Sequence, residues 1–287
     1  MLTQNDETGV VTTPRARRST AVSQTLRAIE RDVWSGRSGR EGWPIAEKGA
    51  GASRYRILVA SDRATRERAY RLAHRVYQRA GFASHEERWC VAPYDARMQT
   101  MTLLIEDENG KECATISLVF DSSAGLPCDE IYHEEAATLR AQECRLAEVT
   151  RLAIDESCAG MRDLLLHMFN QCYIFARLVR GQSDLLIEVN PRHLGYYQRL
   201  LRFQQVGPER ACSRVQGAPA VLLRLNFAEV EAAVKGTGCT GGRDLNGRRL
   251  HAYPYSQAEE IAVASFLARN HKPMANEEAR YFGIDVA

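Results

Sequence analysis

Residues 146–203 read LAEVTRLAIDESCAGMRDLLLHMFNQCYIFARLVRGQSDLLIEVNPRHLGYYQRLLRF. Two short apolar runs, LAEVTRLAI (146–154) and DLLIEV (184–189), read as strands. Between them Met161, Leu164, Leu165, Met168, Cys172, Phe175 and Val179 recur at the spacing of one buried helical stripe. DLLIEV is apolar at nearly every position, as a strand covered on both faces requires. A second helix follows Asn190, because Pro191 is tolerated in a first helical turn, and it ends near Leu201. Strand, helix, strand, helix sets an α/β architecture, and the flanking sequence is read around it.

Upstream, MTLLIED (101–107) and ECATISLVF (112–120) flank Asn109-Gly110, the strongest short hairpin signal. YRILVA (55–60) reads as the first strand. A helix follows it, with Ala69, Leu72, Ala73, Val76, Tyr77 and Ala80 on one face, Ser61 or Asp62 as cap and Gly81 as stop. Arg71, Arg75 and Arg79 form a basic line beside that stripe. Residues 82–98 read as a loop, GLPCDE (125–130) as a turn, and Asp129 as the cap of a short helix, IYHEEAATLR. Downstream, FQQVG (203–207) and AVLLRL (220–225) complete the sheet. FAEVEAAVKG (227–236) continues as a helix, a Gly-rich loop follows, and Ser256 with Glu259 makes a capping box for a last helix. The expected organisation is a flexible tail over 1–52, one domain over 53–227, and a helical extension over 228–287. A short helix over Ser23–Trp34 is the one periodic signal in the tail.

The totals exclude several classes. The chain has 287 residues, 45% hydrophobic and 26% charged, with a net charge of +2. This is ordinary for a globular protein and offers no concentrated basic face for nucleic acid. Eight cysteines show no CxxC pair and no Cys/His spacing for a metal, so no metal is expected. The N-terminal stretch lacks the apolar core of a signal peptide, and no run is long enough to span a membrane. A cytoplasmic protein is expected, with peripheral membrane contact compatible with the sequence.

Two features of the opening stretch carry chemistry. Strand alternation puts Glu148 and Thr150 on one side of LAEVTRLAI, with Val149 and Arg151 on the other. A carboxylate in so apolar a strand is at an edge, paired with an arginine, or working on an amine as a base, directly or through water. Arg151 is a surface cation or a bidentate anchor for a carboxylate. Tyr196 and Tyr197 face differently on their helix; either packs in the core or offers its hydroxyl as a proton donor to a leaving thiolate. His193, at the helix start, is a base, a ligand or a packed structural histidine.

The succession β-α-β-β-α-β-α-β-α-β, with LAHRVYQRAGF (72–82), GLPCDEIYHEEAATLR (125–140), LAEVTRLAI (146–154) and VNPRHLGYYQRLLRF (189–203), resembles the GNAT-fold acyltransferases. Within them it is similar to the FeeM-like N-acyl amino acid synthases, relatives of the acyl-homoserine-lactone synthases. The resemblance spans residues 55–227. It implies a GNAT-like α/β (α+β) fold with a mixed, mostly antiparallel sheet. It also implies transfer of a long-chain acyl group from acyl carrier protein to an amino acid's amine. Glu148 and Arg151 match the E-x-x-R of the related lactone synthases, and Arg75, Val76 and Tyr77 their R-V-Y/F helix. Tyr197 matches the tyrosine that protonates sulfur. The backbone at Leu152 matches the thioester-oxygen contact, and His193 joins Arg75, Tyr77 and Arg151 as expected substrate contacts. Ala73 departs from the lactone synthases, which more often have Arg there; this argues against a lactone product.

CoA-dependent relatives follow the central strand with a Gly-rich pyrophosphate loop. Here DESCAGMRD places Asp155 and Glu156 there, which favours a carrier-protein thioester over CoA, with no separate cofactor. Arg199, Arg202, Arg210 and Arg214 are the expected docking surface for an acidic carrier. A CoA-dependent N-acyltransferase and a non-catalytic acyl-binding module of the same fold are the alternatives.

Overall fold

The structure, a computed structural model, describes residues 42–45, 55–158, 161–236 and 255–285. Among the described residues nine strands form one sheet: β1 (Trp43–Ile45), β2 (Tyr55–Val59), β3 (Met101–Asp107), β4 (Glu112–Phe120), β5 (Leu146–Ile154), β6 (Asp184–Val189), β7 (Gln204–Gln205), β8 (Arg210–Cys212) and β9 (Ala218–Asn226). Their spatial order is β1-β2-β3-β4-β5-β6-β9-β7, with β8 also paired to β9. Every pairing is antiparallel except β5 with β6. The expected mixed, mostly antiparallel sheet is therefore present.

The α-helices described around it are α1 (Arg63–Arg79), α2 (Asp129–Ala141), α3 (Met161–Tyr173), α4 (Leu194–Leu201), α5 (Phe227–Gly236), α6 (Gln257–Asn270) and α7 (Asn276–Tyr281). One face of the sheet packs on α1 and α2. Tyr132 and Ala136 of α2 meet Val119, Leu146, Leu186 and Leu222 there, while Ala69, Tyr70 and Leu72 of α1 meet Leu104. The other face packs on α3, a π-helical continuation over Ile174–Val179, α4 and α6. Strand alternation accounts for this division: Val149, Ile187 and Val189 look one way, Leu146 and Leu186 the other.

Several details depart from the sequence reading. The stretch expected to be tail contains β1, an edge strand in which Ile45 is buried and the Trp43 ring lies 5.7 Å from that of Phe266. Pro44 fits there because an edge strand tolerates a missing N–H. β8 and α7 carry no periodic signal of their own; β8 has three residues and α7 six. Asp129 does not cap α2 in the expected way. It is the first helical residue, and its carboxylate accepts from Leu126 N–H at 2.6 Å and pairs with Arg140. Asp62 does cap α1, accepting from Thr65 N–H at 2.9 Å, and Ser256 with Glu259 forms the capping box of α6. The helix anticipated over Ser23–Trp34 and the Gly-rich loop lie outside the described residues.

The C-terminal helices are built into the core. Val263, Ala264, Phe266 and Leu267 of α6 are buried in the main cluster. Met274, Ala279, Phe282 and Ile284 pack on α1, with Phe282 edge-on to Tyr70 at 5.1 Å. Arg66 of α1 reaches back to Glu278 and the Lys272 carbonyl, each at 2.5 Å. Phe266→Ala is accordingly expected to lower the unfolding free energy by about 3–5 kcal/mol. Denaturant titration measures it, and a loss below about 1 kcal/mol would show α6 to be peripheral.

Candidate active site

The site begins with a mismatch in the sheet. β5 pairs with β4 along its whole length but with β6 only from Leu146 to Val149. β6 leaves it after Ile187 and continues along β9 to Val189. A cavity of about 570 Å³ opens where the strands part. Leu165, Val149, Ile187, Val189 and Tyr197 line it on the α3 and α4 side. Tyr94, Thr150, Glu188, Cys212 and Arg214 line it on the side of α1 and α2. The cavity thus passes from one face of the sheet to the other, apolar at one end and charged at the other.

A bulge in β5 accompanies the opening. Ser117 of β4 faces Thr150 while Thr115 faces Ala153, so Arg151 and Leu152 together oppose Ile116. Arg151 takes φ of +49°, a left-handed conformation costing a non-glycine residue about 1–2 kcal/mol. The bulge corrects the alternation expected for this strand: the Arg151 side chain lies with Thr150, on the Ser117 side. The residue is only 4% exposed, and its guanidinium is held from every direction. It is bidentate on Asp95, donates to Ser117 Oγ at 2.9 Å, and lies over the Tyr70 and Tyr94 rings at 5.0 and 5.3 Å. Asp95 in turn accepts from Ala92 N–H at 2.8 Å. Arg151 is neither a surface cation nor a free anchor for a substrate carboxylate, because Asp95 already occupies the fork. It does form part of the cavity wall.

Glu148 is 1% exposed and lies behind the wall rather than in it. Its Oε2 accepts from Cys128 N–H at 2.8 Å at the start of α2, and its Oε1 is buried without a hydrogen-bond partner among the described residues. Burial, and then the neighbouring Glu188, push its carboxyl up to about 8. Glu188 is in the wall. Arg214 holds its Oε2, its Oε1 has no partner among the described residues, and burial raises its affinity for a proton. Arg214 also pairs with Glu130 at 3.0 Å.

Tyr77, Leu152, His193 and Tyr197 all reach the cavity. Tyr197 is buried against Phe169 and Phe203, with ring centroids 5.9 and 6.0 Å away. Burial raises its phenol, so the hydroxyl keeps its proton at neutral pH. His193 accepts from Arg192 Nε at 2.9 Å, and desolvation lowers its affinity for a proton. Arg75 is not in the wall. It and Arg79 flank Asp155, at 3.6 and 3.8 Å, and Asp155 also accepts from Ser157 N–H. Of the acidic turn expected to repel a pyrophosphate, Asp155 therefore has its charge met by two arginines, while Glu156 lines the cavity. Gly160 and the Arg162 side chain lie outside the described residues. Asp95 and Glu188 were not among the expected site residues, and Arg214 was expected on a docking surface rather than in the cavity wall. Glu188 carries the same signal as Glu148, a carboxylate interrupting an apolar strand, whereas Asp95 sits in a loop without periodicity.

Parted central strands, a bulge at the parting and a cavity through the sheet are those of a GNAT-like fold. The family model described as N-acyl amino acid synthase FeeM matches residues 68–226, more than half of the chain, and the chain belongs to that family. The protein is an N-acyltransferase. The solved structure of FeeM, an N-acyl amino acid synthase from uncultured soil microbes, is 27% identical, with a TM-score of 0.55 over 61% of this chain and 92% of that one. The acyl-homoserine-lactone synthase LasI is 17% identical, with a TM-score of 0.47 over 60% and 89%. MesI, a CoA-dependent acyl-homoserine lactone synthase, is 15% identical, with a TM-score of 0.44 over 65% and 97%. No curated protein sequence matches. Among the described residues no helix is long and apolar enough to cross a membrane, and no cluster of three or more metal-ligating side chains occurs.

Asp95→Asn leaves the Arg151 guanidinium buried without its anion. It is expected to cost about 3–5 kcal/mol of stability, much of it recovered when Arg151→Met is added. Unfolding titrations of the single and double variants measure this, and an Asp95→Asn chain as stable as wild type would contradict it.

Proposed function

We propose that the protein transfers a long-chain fatty acyl group from the thioester of acyl carrier protein to the α-amine of an amino acid. The observation that supports this reading best is a cavity whose two ends differ in chemistry and meet at the bulge of β5. The acyl chain lies among Leu165, Ile187, Val189 and Tyr197, where burial of its methylenes contributes about 0.8 kcal/mol each. The amine enters from the carboxylate end. The thioester lies between them, its oxygen toward the Leu152 backbone N–H, which the bulge takes out of regular strand pairing.

The amine attacks the thioester carbon directly. Glu148 assists removal of a proton from the amine through an intervening group, because the carboxylate itself is shielded from the cavity. When the carbon–sulfur bond breaks, Tyr197 supplies a proton to the thiolate. Tyr77 and His193 shape the walls around the reactants, and Arg151 acts on the site through the bulge it stabilises. The donor is itself a substrate, so the reaction needs no resident cofactor or metal.

The preference for a carrier protein over CoA rests on α4 and the turn before it. Arg210 and Arg214 are neutralised within the chain, by Glu135 and by Glu130 with Glu188. Arg192, Arg199 and Arg202 have no carboxylate partner among the described residues; Arg192 lies over Phe82 of the cavity wall at 5.7 Å, while Arg199 and Arg202 line a separate hollow with Gln204 and Glu229. These three make a smaller and better-defined docking surface than the four arginines expected from sequence, and one complementary to an acidic carrier.

Incubating the protein with palmitoyl-carrier protein, or with palmitoyl-CoA, and the twenty amino acids tests the reading. Acylated amino acid detected by mass spectrometry with the carrier protein is expected. Product only with CoA, or none from folded protein, would overturn it. In the same assay Glu148→Gln is expected to lower kcat by about 10²-fold or more, and a rate equal to wild type would remove Glu148 from the mechanism.

A further inference from the structure

The structure presents two buried carboxylates at the polar end of the cavity, and only one of them reaches the space a substrate can occupy. Glu148 and Glu188 lie on the same face of two parallel strands. Glu148 sits opposite Leu186, and Glu188 stands one residue past Ile187, the last residue of β6 that pairs with β5. Glu188 is thus the first β6 side chain on this face beyond the parting, and its side chain is 10% exposed. Its two oxygens are in different situations. Arg214 holds Oε2, and Oε1 is buried with no hydrogen-bond partner among the described residues. An unpartnered buried carboxylate oxygen is costly unless a donor arrives to meet it. An ammonium group is such a donor.

We propose that Glu188 is the residue that takes the proton from the acceptor's ammonium group, with Glu148 behind it as the second carboxylate of a proton-sharing pair. The inference rests on the acyl-transfer reading above and supplies the intervening group that reading requires. Carboxylates so placed do not both ionise readily, because like charges in a desolvated site share a proton. The charged and titratable neighbours facing Glu188 are Glu148 from β5, Cys128, Glu130 and Tyr132 from the start of α2, and Cys212 and Arg214 from β8 and the turn after it, while β9 sets Leu222 opposite it. Arg214 is the one cation among them, and Glu130 holds it from the far side. Arg214 keeps Glu188 turned so that one oxygen is engaged and the other is available.

The proton balance is complete. The ammonium nitrogen gives one proton to Glu188 and becomes a neutral amine. Its nitrogen bonds to the thioester carbon, and the carbon–sulfur bond then breaks. A second proton leaves the nitrogen as the amide forms, and the departing sulfur gains one to become a thiol. Glu188 returns its own proton to water. One ammonium and one thioester yield one amide, one thiol and one released proton.

The test compares two nucleophiles with the same acyl donor: the amino acid the enzyme acylates fastest, and hydroxylamine, which is already neutral near pH 7. Glu188→Gln is expected to lower kcat with the amino acid by about 10²–10³-fold at neutral pH and to leave hydroxylamine acylation close to wild type. The deficit with the amino acid narrows as pH rises and the free amine accumulates. An equal loss with both nucleophiles would mean that Glu188 is structural, and an undiminished rate with the amino acid would mean that it takes no proton; either overturns the proposal. Wild-type protein that acylates neither nucleophile overturns the acyl-transfer reading itself, a result distinct from the other two. Should the variant not fold, the wild-type pH profile decides: an acid limb with the amino acid that is absent with hydroxylamine supports the proposal, and the same limb with both overturns it.

Discussion

β5 cannot satisfy both neighbours along its length. Like β6, it has an antiparallel partner on one side and a parallel partner on the other, and on β5 the two pairings make different demands on its path. The antiparallel one wins. β5 stays with β4 to Ile154, bulges at Arg151 and Leu152, and abandons β6 after Val149. Most of what the site contains follows from that choice: the gap between strands, the passage through the sheet, and the position of Glu188 at the lip. The left-handed Arg151 is tolerable because its side chain is fastened to Asp95, Ser117 and two tyrosine rings, an investment of contacts larger than the backbone cost.

The charges in the molecule divide into those that are settled and those that are not. Arg151, Arg210, Arg140 and Asp155 are met by opposite charges within the chain. Glu148 and Glu188 are different, since two carboxylates share the influence of Arg214 in a place water scarcely reaches. Buried ionisable groups left in that condition are uncommon where only stability is at stake. Their occurrence where a cavity pierces the sheet is what distinguishes this place from the settled ion pairs, buried ones such as Arg151 with Asp95 included.

Much of the fold is legible from local pattern. The hairpin at Asn109-Gly110, the stripe of α1, the long helix after β5 and the capping box at Ser256 each follow from a rule acting over a few residues. The overlooked elements, β1, β8 and α7, are three to six residues long, too short for a period to show, and exist because a larger neighbour offers a surface. In the site, Glu148 and Tyr197 could be singled out as residue types out of place in their elements. The direction of Arg151 could not, because alternation assumes an unbroken strand and the bulge reverses it. Asp95 was invisible for another reason: a loop residue becomes significant only through the partner that folding brings to it, here 56 positions away.

The way α6 and α7 sit on the rest of the chain bears on where the protein can be divided. The stretch that matches the family runs from residue 68 to residue 226, and it begins inside α1. Phe266 and Leu267 fill the main core from beyond its end, and Phe282 closes over Tyr70 on α1. A fragment trimmed to the matching stretch would present those vacated apolar surfaces to water and to its own copies. The enzyme's smallest soluble unit is therefore longer than its recognisable one, and the C-terminal helices belong to it as much as the strands that carry the chemistry.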